Sequence, residues 1–259
     1  MKRIAIIAIV VIFGLAIIDM VMQTRRLQRR SHEQSRALQD VRGIVENLSL
    51  YNDINKRLPP AIIRSPDGKP LCSWRFANAA FLLCDQVQYG YYGEVLPHID
   101  RPWNSAENHR YLSGPYRDYG GSPLSYIDQS RPGNKARFVA VLGPGTAFEE
   151  GKPCTYDQLP RNMILVVETR GADVHWMEPG GDLDILTIPR EIGAAGGISP
   201  AEVECKEFFV GFADGQVLLL KASIPFETLE RFLTIAEAAK HDREAELGPY
   251  SVRAFLPHR

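Results

Sequence analysis

The sequence lacks the residue patterns that usually identify an enzyme or a metalloprotein. Its 259 residues include only four cysteines, and no two of them form a C-x-x-C pair, which argues against a zinc ribbon or a thioredoxin-like centre. The six histidines form neither H-E-x-x-H nor H-x-H, and the glycine-rich segment 143–146 lacks the Lys-Ser or Lys-Thr of a phosphate-binding loop. The sequence therefore predicts no catalytic, cofactor-binding or metal-binding residue.

The chain also lacks a large excess of either charge, and it contains no internal repeat. Its net charge is −1, and 45% hydrophobic residues with 24% charged residues is an ordinary globular composition. Residues 1–51 hold eight Lys or Arg and four Asp or Glu, which leaves 22 basic and 27 acidic residues for the remainder. A mildly acidic body has no basic stripe for phosphate contacts, so nucleic acid is not an expected partner.

One long hydrophobic run is present, at the start of the chain. Residues 4–18 are apolar without interruption, and the run ends at residue 22 after a single Asp19. Nineteen helical residues span roughly 28 Å, about the thickness of a bilayer core. The run continues into an arginine-rich helical pattern rather than a small-residue cleavage site, so residues 1–23 are predicted to be an uncleaved transmembrane signal anchor in the inner membrane.

The orientation of this anchor is ambiguous by charge. Lys2 and Arg3 precede the run, whereas six arginines follow it by residue 42, and a simple count of basic residues would place the body in the cytoplasm. The spacing from Gly14 to Asp19 matches a type IV prepilin by count, but the residues before Gly14 are mostly apolar, unlike a prepilin leader. We treat that spacing as a coincidence and expect the anchor to stay attached.

Residues 24–57 are predicted to continue the helix as a stalk. Leu38, Val41, Val45 and Leu48 recur at three- and four-residue spacing with Ile44 beside them, which is typical of a helix packed along one face. Two prolines at positions 59 and 60 end the helix. Anchor and stalk together predict one helix of roughly 48 residues, about 70 Å long.

Residues 58–259 read as an α+β body of strands and turns. Segments 138–142 and 163–169 are predicted strands, and segment 76–88 a short helix before a long loop region over 89–133. Segments 208–213 and 216–220 flank Asp214-Gly215, which predicts a hairpin with a type I′ turn.

The end of the body is predicted to be helical and then loose. Ser223 is expected to cap a helix with Pro225 in its first turn, and the tail after Gly248-Pro249 is expected to be weakly held. The predicted buried face of that helix consists of Leu229, Phe232, Leu233 and Ala236.

Three sets of residues leave alternatives open. Cys72, Cys84, Cys154 and Cys205 form either two disulfides, in one of three pairings, or buried free thiols. The acidic cluster at 173–184 favours a solvated loop over a calcium site, because it lacks the one-three-five ligand spacing. Its members are Asp173, Glu178, Asp182 and Asp184. The three tryptophans, Trp74, Trp103 and Trp176, are expected to pin long loops to the core rather than line a recognition surface.

Seven segments in order carry a resemblance to a known family. They are LPP at 58–60, DGKPLCSWR at 67–75, RPWNSAEN at 101–108, FVAVLGPGTAF at 138–148, NMILVVET at 162–169, VHWMEPGGDLDI at 174–185 and FFVGFADGQVLLL at 208–220. With them the chain resembles, over about residues 40–235, the domain-of-unknown-function 1559 family of planctomycete bacteria, which is described as pseudopilin-like.

This resemblance implies a pilin-like α+β fold, with a long N-terminal helix packed on an antiparallel β-sheet. The chain departs from the family in two places. It has no clear Gly-Phe-Thr-Leu-x-Glu leader, and it carries Glu204 where the family has a histidine ten positions before the hairpin aspartate. Any role of that histidine in relatives is therefore not transferred to this chain.

Together these observations predict a membrane-anchored, non-enzymatic structural or interaction protein that resembles the pseudopilins of type II secretion and type IV pilus systems. Its body is expected outside the cytoplasm, and secretion or pilus-like assembly proteins are the expected partners. The alternative is an anchored extracytoplasmic ligand- or carbohydrate-binding module that uses the Tyr- and Trp-rich region 89–126. A third hypothesis is an enzyme whose site is scattered along the sequence.

Overall fold

A long helix begins the chain, and an antiparallel sheet forms the centre of the body. The computed structural model describes residues 2–80, 98–109, 127 and 132–255. Of residues 1–13, 15 and 16 no side chain is described. Most of the predicted 76–88 helix, most of the 89–133 loop and Cys84 lie outside the described residues. The described part of that helix, residues 76–80, is helical, and the helix begins earlier than predicted, at Trp74. The chain divides into two compact units, Met1–Gln39 and Asp40–Arg259.

Helix α1 (Lys2–Asn55) is a single helix of 54 residues, slightly longer than the sequence predicts. The predicted packing stripe is confirmed, because Val41, Ile44, Val45 and Leu48 are buried. The helix ends where the backbone turns left-handed at Lys56, with a φ of 56°. No helix in the described part of the chain is long and apolar enough to cross a bilayer, and the predicted anchor lies mostly among residues whose side chains are not described.

Nine strands occur in the part of the second unit that the structure describes. They are β1 (Ile62–Arg64), β2 (Pro70–Ser73), β3 (Phe138–Val139), β4 (Val141–Leu142), β5 (Ile164–Glu168), β6 (Leu183–Asp184), β7 (Glu207–Phe212), β8 (Val217–Lys221) and β9 (Ser251–Phe255). Five of them form an antiparallel sheet in the order β3-β5-β7-β8-β9. Strands β1 and β2 pair with each other, and β4 pairs with β6 in parallel.

The last turns of α1 cover the middle of this sheet. Gly211 of β7 is the closest point of approach, since a Cβ atom built there would lie 2.6 Å from Val45 Cγ2 and 3.1 Å from Val41 Cγ2. Only a residue without a side chain allows the helix this near to the strand. The chain is therefore α+β, with a long N-terminal helix and an antiparallel five-stranded sheet.

The predicted hairpin is present, but its turn differs from the prediction. The Gly215 N–H donates to the Phe212 carbonyl at 3.0 Å, and the Phe212 N–H donates to the Gln216 carbonyl at 2.9 Å, which makes a three-residue loop. Gly215 has a φ of 81°, whereas Asp214 is not among the residues with positive φ. The type I′ prediction is therefore wrong, because the loop is a type I turn followed by a left-handed glycine.

The predicted 138–142 strand is divided between two sheets. Phe138 pairs with Glu168 in the large sheet, and Val141 pairs with Leu183 in the small parallel one. Between them, the Ala140 N–H donates to the carboxylate of Asp182 at 2.9 Å. A side chain thus replaces the ladder hydrogen bond at the point where the strand changes partner.

The C-terminal region corrects three predictions. Helix α2 (Phe226–Glu230) has Pro225, not Ser223, at its N-cap. It stops after five residues, and two short helices follow, α3 (Ile235–Ala238) and α4 (Arg243–Leu247). The predicted continuous helical face is broken between α2 and α3, and Ala236 is therefore exposed rather than buried. The tail is not loose, since β9 pairs with β8 along the edge of the large sheet.

Candidate interaction groove

A groove of about 320 Å³ lies on the surface of the second unit, between the segment after α1 and the loop after β4. The Leu58 N–H donates to the Cys154 carbonyl at 2.7 Å and fixes one end of the two segments together. Arg64 holds the other end, with its Nε and Nη2 donating to Glu150 Oε1 at 3.1 and 2.8 Å. Two segments far apart in sequence therefore form one surface feature.

Apolar and charged side chains both line the groove. We call the charged lining residues the rim and the apolar ones the floor, which includes Pro59, Pro60, Ile62, Phe148, Pro153 and Cys154. Prolines restrict the backbone on both sides, so the walls lose little conformational freedom when a ligand binds. On the rim, Arg57 is exposed and no carboxylate in the described ranges forms an ion pair with it. The groove thus combines a preformed apolar surface with one cation available to an acceptor.

The remaining rim charges are paired. Lys152 Nζ contacts Glu149 Oε1 at 2.5 Å, and the Gly145 N–H donates to Glu149 Oε2 at 2.9 Å. The hydrogen bond from Lys152, followed by that from Gly145, lowers the pKa of Glu149 below its ordinary value. Burial raises the pKa of the Cys154 thiol, which donates to the Thr155 carbonyl at 3.6 Å. Cys154 is therefore a neutral part of the floor near neutral pH rather than a reactive thiolate.

The floor residue Phe148 packs against a tryptophan that is bonded to a buried ion pair. The rings of Phe148 and Trp74 are 5.4 Å apart, and Trp74 Nε1 donates to Asp182 Oδ1 at 2.9 Å. The same oxygen accepts from Arg75 Nη1 at 2.7 Å, and both side chains of this ion pair are fully buried. Within the described residues, Asp182 Oδ2 has no hydrogen-bond partner.

Arg75 uses its other nitrogens to bind the loop that carries Asp182. Its Nε donates to the Trp176 carbonyl at 3.1 Å, and its Nη2 donates to the Gly180 carbonyl at 2.8 Å. Gly180 and Gly181 have φ values of 99° and 73°, which residues with a Cβ rarely adopt, and this turn directs Asp182 inward. The loop is thus held both by Arg75, just after β2, and by Ser73 of β2, whose hydroxyl donates to the Trp176 carbonyl at 2.8 Å.

The acidic segment is solvated at Asp173 and Asp184, as the sequence predicts, but not at Asp182. The side chain of Asp182 is fully buried, because it replaces a strand hydrogen bond and pairs with Arg75. Of the others, Asp173 pairs with Lys135 at 2.9 Å, Glu178 accepts from the His175 N–H, and Asp184 accepts from the Leu186 N–H. The four carboxylates do not converge, and no group of three possible metal ligands occurs in the ranges that the structure describes.

The tryptophans occupy the positions that the sequence predicts. Trp74 and Trp176 are fully buried and tie loops to the core. Trp103 is half-buried, and its ring stacks on His175 with centroids 5.0 Å apart and planes 21° apart. The backbone N–H of Trp103 donates to the Leu71 carbonyl at 2.8 Å, so this residue also fastens a loop.

Two of the cysteines favour the free-thiol alternative. Cys72 and Cys154 are buried free thiols. Burial raises the pKa of Cys72 to about 12. Cys205 is half-buried with its thiol 3.7 Å from Glu202 Oε2, and Cys84 lies outside the described residues.

Sequence reasoning missed the groove, although it quoted both segments that line it. In the sequence the prolines at 59 and 60 indicate a helix end, and they and Phe148 belong to separate segments that carry the family resemblance. Nothing in the local pattern of either segment indicates that they meet. The one available signal was the shared apolar character of Pro59, Phe148 and Pro153.

The comparisons with known proteins do not assign this groove. No family model matches the chain, and neither a curated protein nor a solved structure matches it. The resemblance to the domain-of-unknown-function 1559 family therefore stays a prediction.

Proposed function

We propose that the chain is a membrane-anchored, non-enzymatic structural or interaction protein with a pilin-like fold, related to pseudopilins. The observation that carries this proposal is the change of surface along α1. Ile17, Ile18, Met20, Val21 and Met22 are 42–63% exposed, whereas from Val41 onward one face of the same helix is buried. An apolar surface of this kind needs an apolar environment, which a bilayer or a bundle of similar helices supplies.

The middle of the helix fits a stalk between those two environments. Residues 23–35 are exposed throughout and, apart from Leu27, carry polar and charged side chains. The inner-membrane location, the body outside the cytoplasm and the secretion or pilus-like partners belong to the same proposal. They are supported by the predicted anchor at 1–23 and by the seven segments shared in order with the pseudopilin-like family.

The test is membrane extraction of the full chain, followed by capture from native membranes. The wild type should stay in the membrane fraction in alkaline carbonate. A variant with Ile17, Ile18 and Val21 replaced by Asn should be released, since polar side chains oppose membrane insertion. A control variant with Gln28, Ser31 and Ser35 replaced by Asn should stay in the membrane. Release of the wild type by carbonate would contradict the anchor.

The capture experiment tests the assembly role. Affinity purification of the anchored chain from membranes of its own organism should recover secretion or pilus-like components together with it. If the chain stays in the membrane in carbonate but is recovered without such components, the anchor is supported and the pseudopilin-like role is contradicted.

A second candidate is an anchored ligand- or carbohydrate-binding module, and the groove beside Phe148 is the observation that favours it. The region 89–126, where the sequence places such binding, lies outside the described residues except for 98–109. Binding of glycans or small carboxylates to the full chain in detergent should be lost in Ile62→Arg, which fills the groove. Leu186→Arg is the matched control, because Leu186 is 73% exposed elsewhere on the surface.

A further inference from the structure

Four arginines form a compact cationic surface directly after the exposed apolar part of α1. Arg25, Arg26, Arg29 and Arg30 are all exposed. At about 100° per residue they lie within an arc of roughly 140° on one side of the helix. We call these four side chains the arginine face.

The arginine face begins three residues after Met22, the last residue of the hydrophobic run at the start of the chain. With a rise of about 1.5 Å per residue, its charges lie roughly 5–12 Å beyond the end of the apolar segment. The headgroup layer of a bilayer is about 5–8 Å thick on each side, and electrostatic attraction extends about another 10 Å at 0.1 M salt. All four guanidinium groups are therefore within reach of lipid phosphates if the apolar segment is in the membrane.

Arg25 and Arg29 are like charges four positions apart on a helix, and such charges repel each other in solution. A negative surface weakens that repulsion. Guanidinium groups bind phosphate oxygens in pairs, which suits the headgroups of anionic phospholipids. We propose that the arginine face binds the anionic phospholipid headgroups of the leaflet on the body side. This inference rests on the proposed membrane anchor, and it adds a lipid preference that an anchor alone does not require.

The experiment uses the full chain reconstituted into vesicles of nine parts neutral and one part anionic phospholipid. The protein is extracted with its surrounding lipid in polymer-bounded discs, and the phospholipids are quantified. The wild type should carry several times more anionic lipid than the bulk ratio, because each basic residue near the surface contributes about a fivefold preference. The enrichment should fall when the salt is raised from 0.1 to 1 M before extraction.

Two variants locate the effect. Replacing the four arginines of the face by Gln should reduce the lipid composition to the bulk ratio, while insertion persists in alkaline carbonate. The matched control removes four exposed cations of the second unit by the same change to Gln: Arg161, Lys206, Lys221 and Arg253. This control should keep the enrichment.

The outcomes separate this inference from the anchor. Insertion without enrichment in the wild type, or enrichment that survives in the arginine-face variant, would overturn the lipid preference and leave the anchor intact. Failure of the wild type to insert into any vesicle would overturn both. A labelled DNA duplex is also added to the protein in purely neutral vesicles. If the duplex binds the wild type but not the arginine-face variant, the face binds nucleic acid instead, and the lipid assignment is overturned.

Discussion

Charged side chains inside this protein are held by donors that come from distant parts of the chain. Asp182 accepts from a tryptophan, an arginine and a backbone N–H. Glu168 is likewise buried, with Arg137 donating to one oxygen and the Phe209 N–H to the other. Such groups define which loops meet, since an uncompensated buried charge is strongly destabilising.

The first prediction concerns the buried pair of Arg75 and Asp182. Asp182→Ala should lower the free energy of unfolding by about 3–5 kcal/mol, because it leaves a buried arginine without its counter-charge. Urea unfolding of the full chain in detergent measures the change. Asp184→Ala is the control, and it should cost no more than about 1 kcal/mol, because this exposed carboxylate accepts a single backbone N–H. If the two variants were equally stable, the contribution of the buried Arg75–Asp182 pair to stability would be contradicted.

The second prediction concerns the thiol of Cys72. Its pKa is raised to about 12 by burial, so its reactive thiolate is almost absent at pH 8. Iodoacetamide should leave Cys72 unmodified in the native protein over hours and alkylate it fully in urea, as measured by peptide mass spectrometry. The Cys154 thiol should behave in the same way. Native labelling of Cys72 at the rate seen in urea would show that its environment is open.

At the scale of elements, segments with strong local patterns were predictable. The stripe from Val41 to Leu48 and the runs around Asp214-Gly215 form the helix and the hairpin where the sequence places them. The turn type was not predictable from the Asp-Gly pair, because the same pair suits a type I turn with a following glycine in left-handed conformation. Helix α2 and strand β9 were missed or misplaced, since their bounds depend on tertiary contacts rather than periodicity.

The third prediction tests the contact between α1 and the sheet. Gly211→Ala should cost about 1–3 kcal/mol, because the new methyl group would meet Val45 Cγ2 at 2.6 Å. Val45→Ala removes that obstacle, so in this background the alanine at position 211 should cost clearly less. Denaturant unfolding of the four proteins in the double-mutant cycle gives the coupling free energy. Additive costs would mean that the helix does not contact β7 at this point.

The fourth prediction tests the turn itself. Gly215→Val should cost about 1–3 kcal/mol, because valine resists the positive φ at this position. Gly215→Asn, the matched control, should cost less because asparagine tolerates left-handed backbone. Thermal unfolding of the full chain in detergent measures both. A silent Gly215→Val would contradict the left-handed glycine.

The turn aspartate has a second role that the sequence did not indicate. Arg243 donates to both carboxylate oxygens of Asp214, at 3.0 and 2.8 Å, and both side chains are mostly buried. The sequence alone suggests that Asp214→Asn is nearly silent, since Asn suits the turn equally well. The structure changes this expectation to a loss of about 1.5 kcal/mol, the lower end for a hydrogen bond to a charged group. In an Arg243→Met background the loss should disappear.

At the scale of the whole molecule, the sequence predicts the class of architecture but not the groove. Composition and periodicity are enough to indicate one long helix and an antiparallel sheet. The groove depends on Leu58 meeting Cys154 and on Arg64 meeting Glu150, contacts between segments about ninety residues apart. No local pattern encodes such a meeting. The inward turn of Asp182 escaped prediction for the same reason, because short-range acidity resembles a solvated loop.

The fifth prediction is the topology, in which the basic residues and the family resemblance disagree. Six arginines between positions 25 and 42 favour a cytoplasmic body, whereas the signal-like start and the predicted resemblance to a pseudopilin-like family favour a body outside. We predict that residues 24–259 lie outside the cytoplasm. Alkaline phosphatase fused after Arg259 through a flexible linker, which keeps β9 undisturbed, should be active, and a reporter that works only in the cytoplasm should be inactive at the same site.

The arginine-face variant makes this topology test quantitative. Removing four positive charges on the body side shifts the balance of basic residues toward Lys2 and Arg3, which favours export of the body. Phosphatase activity per molecule should therefore stay equal or rise in that variant. If the wild-type fusion is inactive and the variant is active, the arginines determine the orientation and the natural body is cytoplasmic. That result would contradict the extracytoplasmic prediction and leave both the anchor and the fold of the second unit unchanged.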